Sequence, residues 1–291
     1  KTNQGVAHSA IYNIDAMKHF RAAVDACLLY CRFDPDMHNY DYDVFDSLSN
    51  ETKYRVGYRQ GLTIRDLDAF DKLEFLLGAS GEKWRSGIKH DCSEIMELTE
   101  NDGKLFNGLG EIVDIETDFV YPLLKGSDVA NDRVSETKRF MIVPQRSVGE
   151  ETKPLKTIAP KIWSYLESHA IYLDSRKSKI YQNNPRFSIF GVGSYTFAPW
   201  KIAICSLYKN LKFRLIGQAQ SKPIVFDDTI YFLSFENYEE AKDVFDFLLS
   251  ENVQRFLSAL IFWDEKRPIK TSILNNLKIP NSRVVLQQEM F

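Results

Sequence analysis

Fifty-two consecutive residues, from Ser175 to Phe226, hold nine lysines and arginines and no aspartate or glutamate. With 40 acids in 291 residues, about seven would be expected in a stretch of that length. The cations are Arg176, Lys177, Lys179, Arg186, Lys201, Lys209, Lys212, Arg214 and Lys222. Aromatic side chains alternate with them: Tyr181, Phe187, Phe190, Tyr195, Phe197, Trp200, Tyr208 and Phe213. Cations without competing anions, set among flat rings, suit a surface that meets a polyanion and stacks on its bases. A solvated basic face over ordinary core aromatics would have the same composition.

If the partner is a nucleic acid, most contacts go to phosphates and a few side chains reach base edges. Arg176, Lys177 and Lys179 cluster near the end of an expected helix and are candidate phosphate ligands, or simply a solvated helix end that complements the dipole. Arg186 and Tyr195 flank turns and could approach base edges; Tyr181 and Lys201 are counted with them. Arg85-Ser86 and Lys89 lie in a loop-rich stretch where a planar guanidinium could grip guanine or phosphate. Lys125-Gly126-Ser127 offers a cation, an amide and a hydroxyl together, as a phosphate cradle does, or else is a plain turn. Lys266-Arg267 precedes Pro268 and serves either nucleic-acid contact or a helix end.

Other chemistries fare less well. Four cysteines (Cys27, Cys31, Cys92, Cys205) include no Cys-x-x-Cys pair and suggest neither zinc nor a disulfide framework. His90-Asp91-Cys92 has no indicated partner histidine for a thiolate nucleophile. Glu240-Ala-Lys242 downstream of Asp228 superficially matches a nuclease metal site. The neighbours Glu239 and Asp243 make a solvated helix face the simpler account.

The net charge of −3 conceals a segregation. Residues 152–222 hold 12 Lys/Arg against two acids (+10), and the remainder 25 against 38 (−13). An acidic bulk therefore does not argue against nucleic acid, because the local field decides binding. A 44% hydrophobic content supports a real core. No apolar run approaches the ~18 residues of a spanning helix, and Lys1–Gly5 has no apolar signal region. These features predict a cytoplasmic protein without a membrane partner.

The elements expected to position these residues begin with strands over 11–15 and 24–33 and an edge strand over 40–48. An amphipathic helix is expected from Thr63 to Leu77, stopped by Gly78. A boundary follows at Gly78-Ala-Ser-Gly81, and then short strands separated by the turns Asn101-Asp102-Gly103 and Asn107-Gly108. Helices are expected from Pro160 to Tyr172, from an Asn237 cap to Leu249, from Asn252 to Ile261 and over 271–277, with strands near 202–206, 212–217 and 223–234.

Several phrases together carry a family resemblance. They are Ile14-Asp15-Ala16…His19-Phe20…Ala23-Val24-Asp25-Ala26-Cys27-Leu28-Leu29; Trp84-Arg85-Ser86-Gly87-Ile88-Lys89-His90-Asp91-Cys92; Asn107-Gly108-Leu109-Gly110-Glu111; and Tyr121-Pro122-Leu123-Leu124-Lys125-Gly126-Ser127-Asp128-Val129. Tyr165-Leu166-Glu167-Ser168, Ser175-Arg176-Lys177-Ser178, Phe187-Ser188-Ile189-Phe190-Gly191-Val192-Gly193, Asp227-Asp228-Thr229-Ile230-Tyr231-Phe232-Leu233 and Lys266-Arg267-Pro268-Ile269 follow in order. This order over residues 11–280 resembles the C-terminal half of restriction-associated adenine-N6 DNA methyltransferases of the TaqI-like, Eco57I-like group.

The resemblance implies an α/β fragment (1–80), the last strands of a Rossmann-like methyltransferase sheet, followed by an α+β target recognition domain (81–291). It implies duplex-DNA binding, adenine flipping and methyl transfer from S-adenosylmethionine. The glycine-rich cofactor turn and the Asn/Asp-Pro-Pro-aromatic loop of that group would lie upstream of Ile14, and the sequence contains no Pro-Pro pair. Asn184-Pro185-Arg186-Phe187 reads as a turn, and Phe190-Gly191-Val192-Gly193 lacks a strand–turn–helix context. The chain is therefore expected to hold no catalytic, cofactor or metal residues and to be inactive alone. Its expected partners are duplex DNA, an N-terminal catalytic half and a cognate restriction endonuclease. A stand-alone specificity subunit, or part of an endonuclease, is the alternative.

Overall fold

In a computed structural model that describes residues 5–49 and 52–280, the chain is a mixed α/β protein with three sheets, in two compact units. One unit comprises the described residues of Lys1–Ala79 with Ser250–Glu265 and Asn276–Lys278. The other comprises Ser80–Leu249 and Lys266–Asn275 with the described residues of Ile279–Phe291. Lys1–Gln4, within the stretch read for an export signal, lie outside the described residues.

The first unit is built on a five-stranded sheet of β1 (Val6–Ile14), β2 (Ala26–Phe33), β3 (Tyr42–Phe45), β4 (Thr52–Arg59) and β5 (Leu62–Ile64). The order is β2-β1-β3-β4-β5, with β1 parallel to β3 and the other pairs antiparallel. The expected edge strand is thus an interior one: β3 is paired on both sides, and β2 takes an edge. That edge is apolar and open, with Leu28, Leu29, Tyr30 and Phe33 all about half exposed or more.

The expected 63–77 helix is also corrected. Thr63 and Ile64 are drawn into β5, which pairs with β4. The helix begins only at Leu67, where the Asp66 carboxylate accepts the Ala69 amide at 3.0 Å. It ends at Asp71, and a single 3-10 turn spans Glu74–Leu76. Leu67 and Phe70 are fully buried, with Phe70 stacked at 5.8 Å on Phe256 of the helix Glu251–Leu260.

The second unit carries two sheets. The six-stranded sheet runs β14 (Val225–Phe226), β10 (Val120–Leu124), β11 (Arg139–Ile142), β7 (Glu97–Asn101), β8 (Lys104–Phe106), β9 (Ile112–Val113). Its β7–β8 hairpin turns on Asp102 and Gly103, both at positive φ (49° and 72°), as a two-residue loop of mirror-image type requires. The four-stranded sheet runs β13 (Arg214–Ile216), β12 (Trp200–Cys205), β15 (Ile230–Phe235), β6 (Arg85–Ser86) and is antiparallel throughout.

A core of Ile95, Met96, Leu98, Leu123, Met141, Ile142, Ile162 and Leu166 lies between the larger sheet and the helix Pro160–Ser168, which opens on its proline. A second core of Leu124, Val129, Ala203, Phe226, Ile230 and Phe232 serves the smaller sheet. The helix Tyr238–Leu249 starts where Asn237 accepts the Glu240 amide at 2.8 Å, as the Asn237…Glu240 spacing implies.

Candidate nucleic-acid interface

The segment Trp84–Cys92 links strands of both sheets in the second unit. Arg85 and Ser86 pair with Phe232 and Tyr231 of β15. The chain then crosses to the end of β14, where the Ile88 amide donates to Phe226 O at 2.7 Å. Lys89 next exchanges two 2.9 Å backbone hydrogen bonds with Phe190. Gly87 sits at the crossing, where a Cβ would lie 2.0 Å from Asp227 O and 2.6 Å from Phe226 O. Gly191 (φ 72°) backs onto it, and a Cβ there would lie 2.4 Å from Gly87 O. Both glycines are required for close backbone approach.

Two adjoining clefts open on either side of this segment and share Lys89 and Asp228. The larger, about 710 Å³, brings together Lys89, Lys125, Arg176 and Lys177. The smaller, about 520 Å³, brings together Arg85, Ser86, Lys89, Tyr195 and Arg267 with Trp84, Phe190, Gly191, Tyr231 and Thr271. Eight of the residues singled out by sequence therefore meet around one wall. Ser127, Lys179, Tyr181, Arg186, Lys201 and Lys266 do not line either cleft.

The cations differ in what already holds them. Arg176 donates to Leu173 O (2.7 Å), Ser188 O (2.8 Å) and His90 O (3.2 Å), with its guanidinium carbon 3.7 Å from the Tyr181 ring centroid. Burial lowers its pKa from the ordinary arginine value. It is a clasp between three segments rather than a free helix-end cation. Tyr181 is half-buried against Phe190, and burial, then Asp91, raises its phenol pKa. Arg186 pairs with Asp174 at 2.8 Å, and Lys89 with Asp91 at 2.5 Å. Lys177, Lys179 and Lys266 are exposed.

Two expectations need correcting. Lys201 is 1% exposed on β12, and its ammonium donates to Ala198 O at 2.7 Å. Burial pushes its pKa down to about 7, and an external ligand is out of its reach. The Lys125-Gly126-Ser127 cradle is closed as well. The Lys125 amide donates to Asp128 Oδ2 at 3.0 Å and its ammonium pairs with Glu97 at 2.5 Å. A Cβ on Gly126 would lie 2.5 Å from Thr229 Oγ1 and 2.7 Å from Cys205 Sγ.

Composition did not reveal that five carboxylates from outside the basic stretch (Asp91, Glu94, Glu97, Asp227 and Asp228) line the larger cleft. Burial works against the charge of Glu97, but bonds from His90 and Lys125 prevail and hold its pKa below the usual range. The His90 ring is fixed between the Cys92 amide (3.1 Å to Nδ1) and Glu97 (3.2 Å from Nε2). Asp227 behaves oppositely, with burial raising its pKa against the bonds from Thr229. Cys92 is buried and its thiol pKa is raised by that burial, which does not suit a nucleophile. Lys242 pairs with Asp246 along the Tyr238–Leu249 helix, as a solvated face does. Among the described residues, no group of three or more His, Cys, Asp or Glu is placed to hold a metal, and no helix is long and apolar enough to cross a membrane.

The glycines of Phe190-Gly191-Val192-Gly193 do not fit a nucleotide cofactor. Gly191 is filled by Gly87 and Gly193 by the Tyr195 ring, 2.5 Å from a Cβ there. A 3-10 turn at Ser194–Phe197 follows, not the α-helix whose N-terminus would receive a phosphate or carboxylate.

No protein-family model matches the chain. It is 54% identical over 275 residues to the Type II methyltransferase M.NspV of Nostoc sp. (strain ATCC 29411 / PCC 7524), an alignment that spans 94% of this chain and 57% of the relative. The chain thus corresponds to a little over half the length of that methyltransferase. The fold also aligns, over 94% of this chain and 35% of the other, with the Type IIL restriction-modification enzyme MmeI solved in complex with DNA. The TM-score is 0.48 at 9% identity, too slight a likeness to argue from.

Proposed function

We propose that this homologue of a Type II methyltransferase is the DNA-recognising portion of an S-adenosylmethionine-dependent enzyme that methylates adenine at N6 within a restriction–modification system. The observation that carries the reading is the 54% identity to M.NspV along 94% of the chain. In this reading the second unit is the target recognition domain. Lys177, Lys179 and Lys266, exposed on its surface, hold phosphates and set the register. The two clefts beside Trp84–Cys92 face the bases. This reading assigns methyl transfer and cofactor binding to the remaining portion of the enzyme, and the packing that closes Gly191 and Gly193 agrees with it. S-adenosylmethionine supplies the methyl group when bound by that remaining portion.

The first unit then completes the catalytic domain. Its apolar edge strand β2, with Leu28, Leu29, Tyr30 and Phe33 exposed, is where the remaining catalytic portion would add. The enzyme would work in the cytoplasm beside a cognate endonuclease. A stand-alone specificity subunit that recruits a separate catalytic chain would use the same surfaces. An endonuclease role has little support, since Lys242 of the Glu240-Ala-Lys242 motif pairs with Asp246 on its own helix.

Mobility-shift titration of duplex DNA at low ionic strength is the primary test. Retention should weaken with salt, and Lys177→Ala or Lys179→Ala should each reduce the salt slope by about one ion on every sequence. A folded protein that retains no duplex defeats the reading. With the full-length protein, label from methyl-tritiated S-adenosylmethionine should appear as N6-methyladenine in digested DNA. Label on cytosine would overturn the adenine assignment alone.

A further inference from the structure

Three guanidinium groups line the two clefts, and they are not equivalent. Arg176 is bound to three carbonyls, and Arg267 has the Asp228 carboxylate at 4.0 Å. Arg85 is exposed, and its one described partner is the face of Tyr195, 5.1 Å from guanidinium carbon to ring centroid. We propose that Arg85, stacked on Tyr195, is the side chain that selects one guanine of the DNA site. The proposal rests on the duplex-binding function proposed above.

The position is rigid. Arg85 is in register with Phe232 on β15, and Gly87 just beyond it is wedged against the Phe226 and Asp227 carbonyls. Tyr195 is half-buried, 6.0 Å from the Phe232 ring, in a turn fastened by the Gly193 amide on Thr196 Oγ1 at 3.1 Å. A guanidinium resting on a ring loses little further freedom on binding, and its planar fork of donors stays available.

Guanine presents two acceptors, O6 and N7, at the spacing of that fork, whereas adenine sets an amino donor beside its N7. A phosphate could also take a guanidinium, but the surroundings disfavour one. The other two cations of that cleft, Lys89 and Arg267, already face Asp91 at 2.5 Å and Asp228 at 4.0 Å, and Phe190, Gly191 and Tyr231 add no charge. A carboxylate repels phosphate, yet accepts from the N4 amino group of the cytosine opposite a guanine.

The test selects from a library of 30-base-pair duplexes with a randomised centre, using the full-length protein and sequencing what is retained. The wild type should enrich a site with at least one fixed guanine. Arg85→Ala should lose preference at one base pair by about ten- to a hundred-fold and keep it elsewhere. Arg85→Lys, which keeps the charge without the fork, should lose it similarly. Replacing that guanine by 7-deazaguanine should weaken the wild type and leave Arg85→Ala unaffected. An unchanged preference at every position in both variants, or an equal loss on all sequences, overturns the proposal while duplex binding stands. A wild type that retains duplex but enriches no site overturns it too; one that retains no duplex removes the function beneath it.

Discussion

Replacing the buried Lys201 by methionine should stabilise the protein near neutral pH and leave its DNA affinity unchanged. An ordinary lysine releases its proton near 10.5, and burial on β12 brings Lys201 to about 7. Unfolding restores the ordinary value, so between these limits the unfolded chain binds more protons and stability rises with pH. The cost of keeping this amine folded is about 4 kcal/mol at pH 7, about 2 kcal/mol at pH 9 and close to zero above pH 10.5. Methionine has a similar length and no proton to lose. It forfeits the 2.7 Å bond to Ala198 O, which contributes about 1 kcal/mol. The net gain should be about 3 kcal/mol at pH 7 and about 1 kcal/mol at pH 9, and should vanish near pH 10. Urea denaturation of both proteins at pH 6, 7, 8 and 9 measures this directly. A gain that does not shrink with rising pH would refute the argument that the ammonium is desolvated. A reduced salt slope for DNA binding in Lys201→Met would refute its exclusion from the interface.

Two further substitutions probe the scaffold and its charges. Gly87→Ala places a methyl 2.0 Å from a backbone carbonyl, so thermal or urea unfolding should show a loss of about 3 kcal/mol, with DNA retention falling in parallel. A variant as stable as the wild type would contradict the close crossing. Glu97→Gln should cost about 2 kcal/mol at neutral pH by weakening the bonds from Lys125 and His90. Because the Glu97 pKa is lowered on folding, its contribution is complete above about pH 4.5 and disappears as pH falls through the folded value. The variant should therefore show a flatter acid-denaturation profile than the wild type.

Local chemistry was legible in the sequence wherever a short-range bond decides the outcome. Asp102-Gly103 turns a hairpin, Asn237 caps a helix and Pro160 opens one, because each depends on residues within a turn of itself. The Thr63–Leu77 helix was misread because β4 captures Thr63 and Ile64, a pairing that periodicity cannot express. The basic stretch was read by composition, which cannot say which face a cation takes. Lys201 turned inward, Arg176 became a clasp, and carboxylates from distant segments joined the larger cleft. Gly87 and Gly191 carried a signal that was available, since both lie in the phrases that carry the family resemblance. Only the folded chain gives the physical reason for them, namely two backbones in contact.

That contact also restricts how this wall can evolve. With Gly87 and Gly191 abutting, the ribbon bearing Arg85 and Lys89 and the ribbon bearing Phe190 and Tyr195 behave as one stiff piece. An insertion in either would pry them apart and forfeit both 2.9 Å bonds between Lys89 and Phe190. Variation is thereby channelled into swapping side chains at fixed stations. Relatives with altered preferences should keep the same loop lengths here and differ at positions 85 and 195.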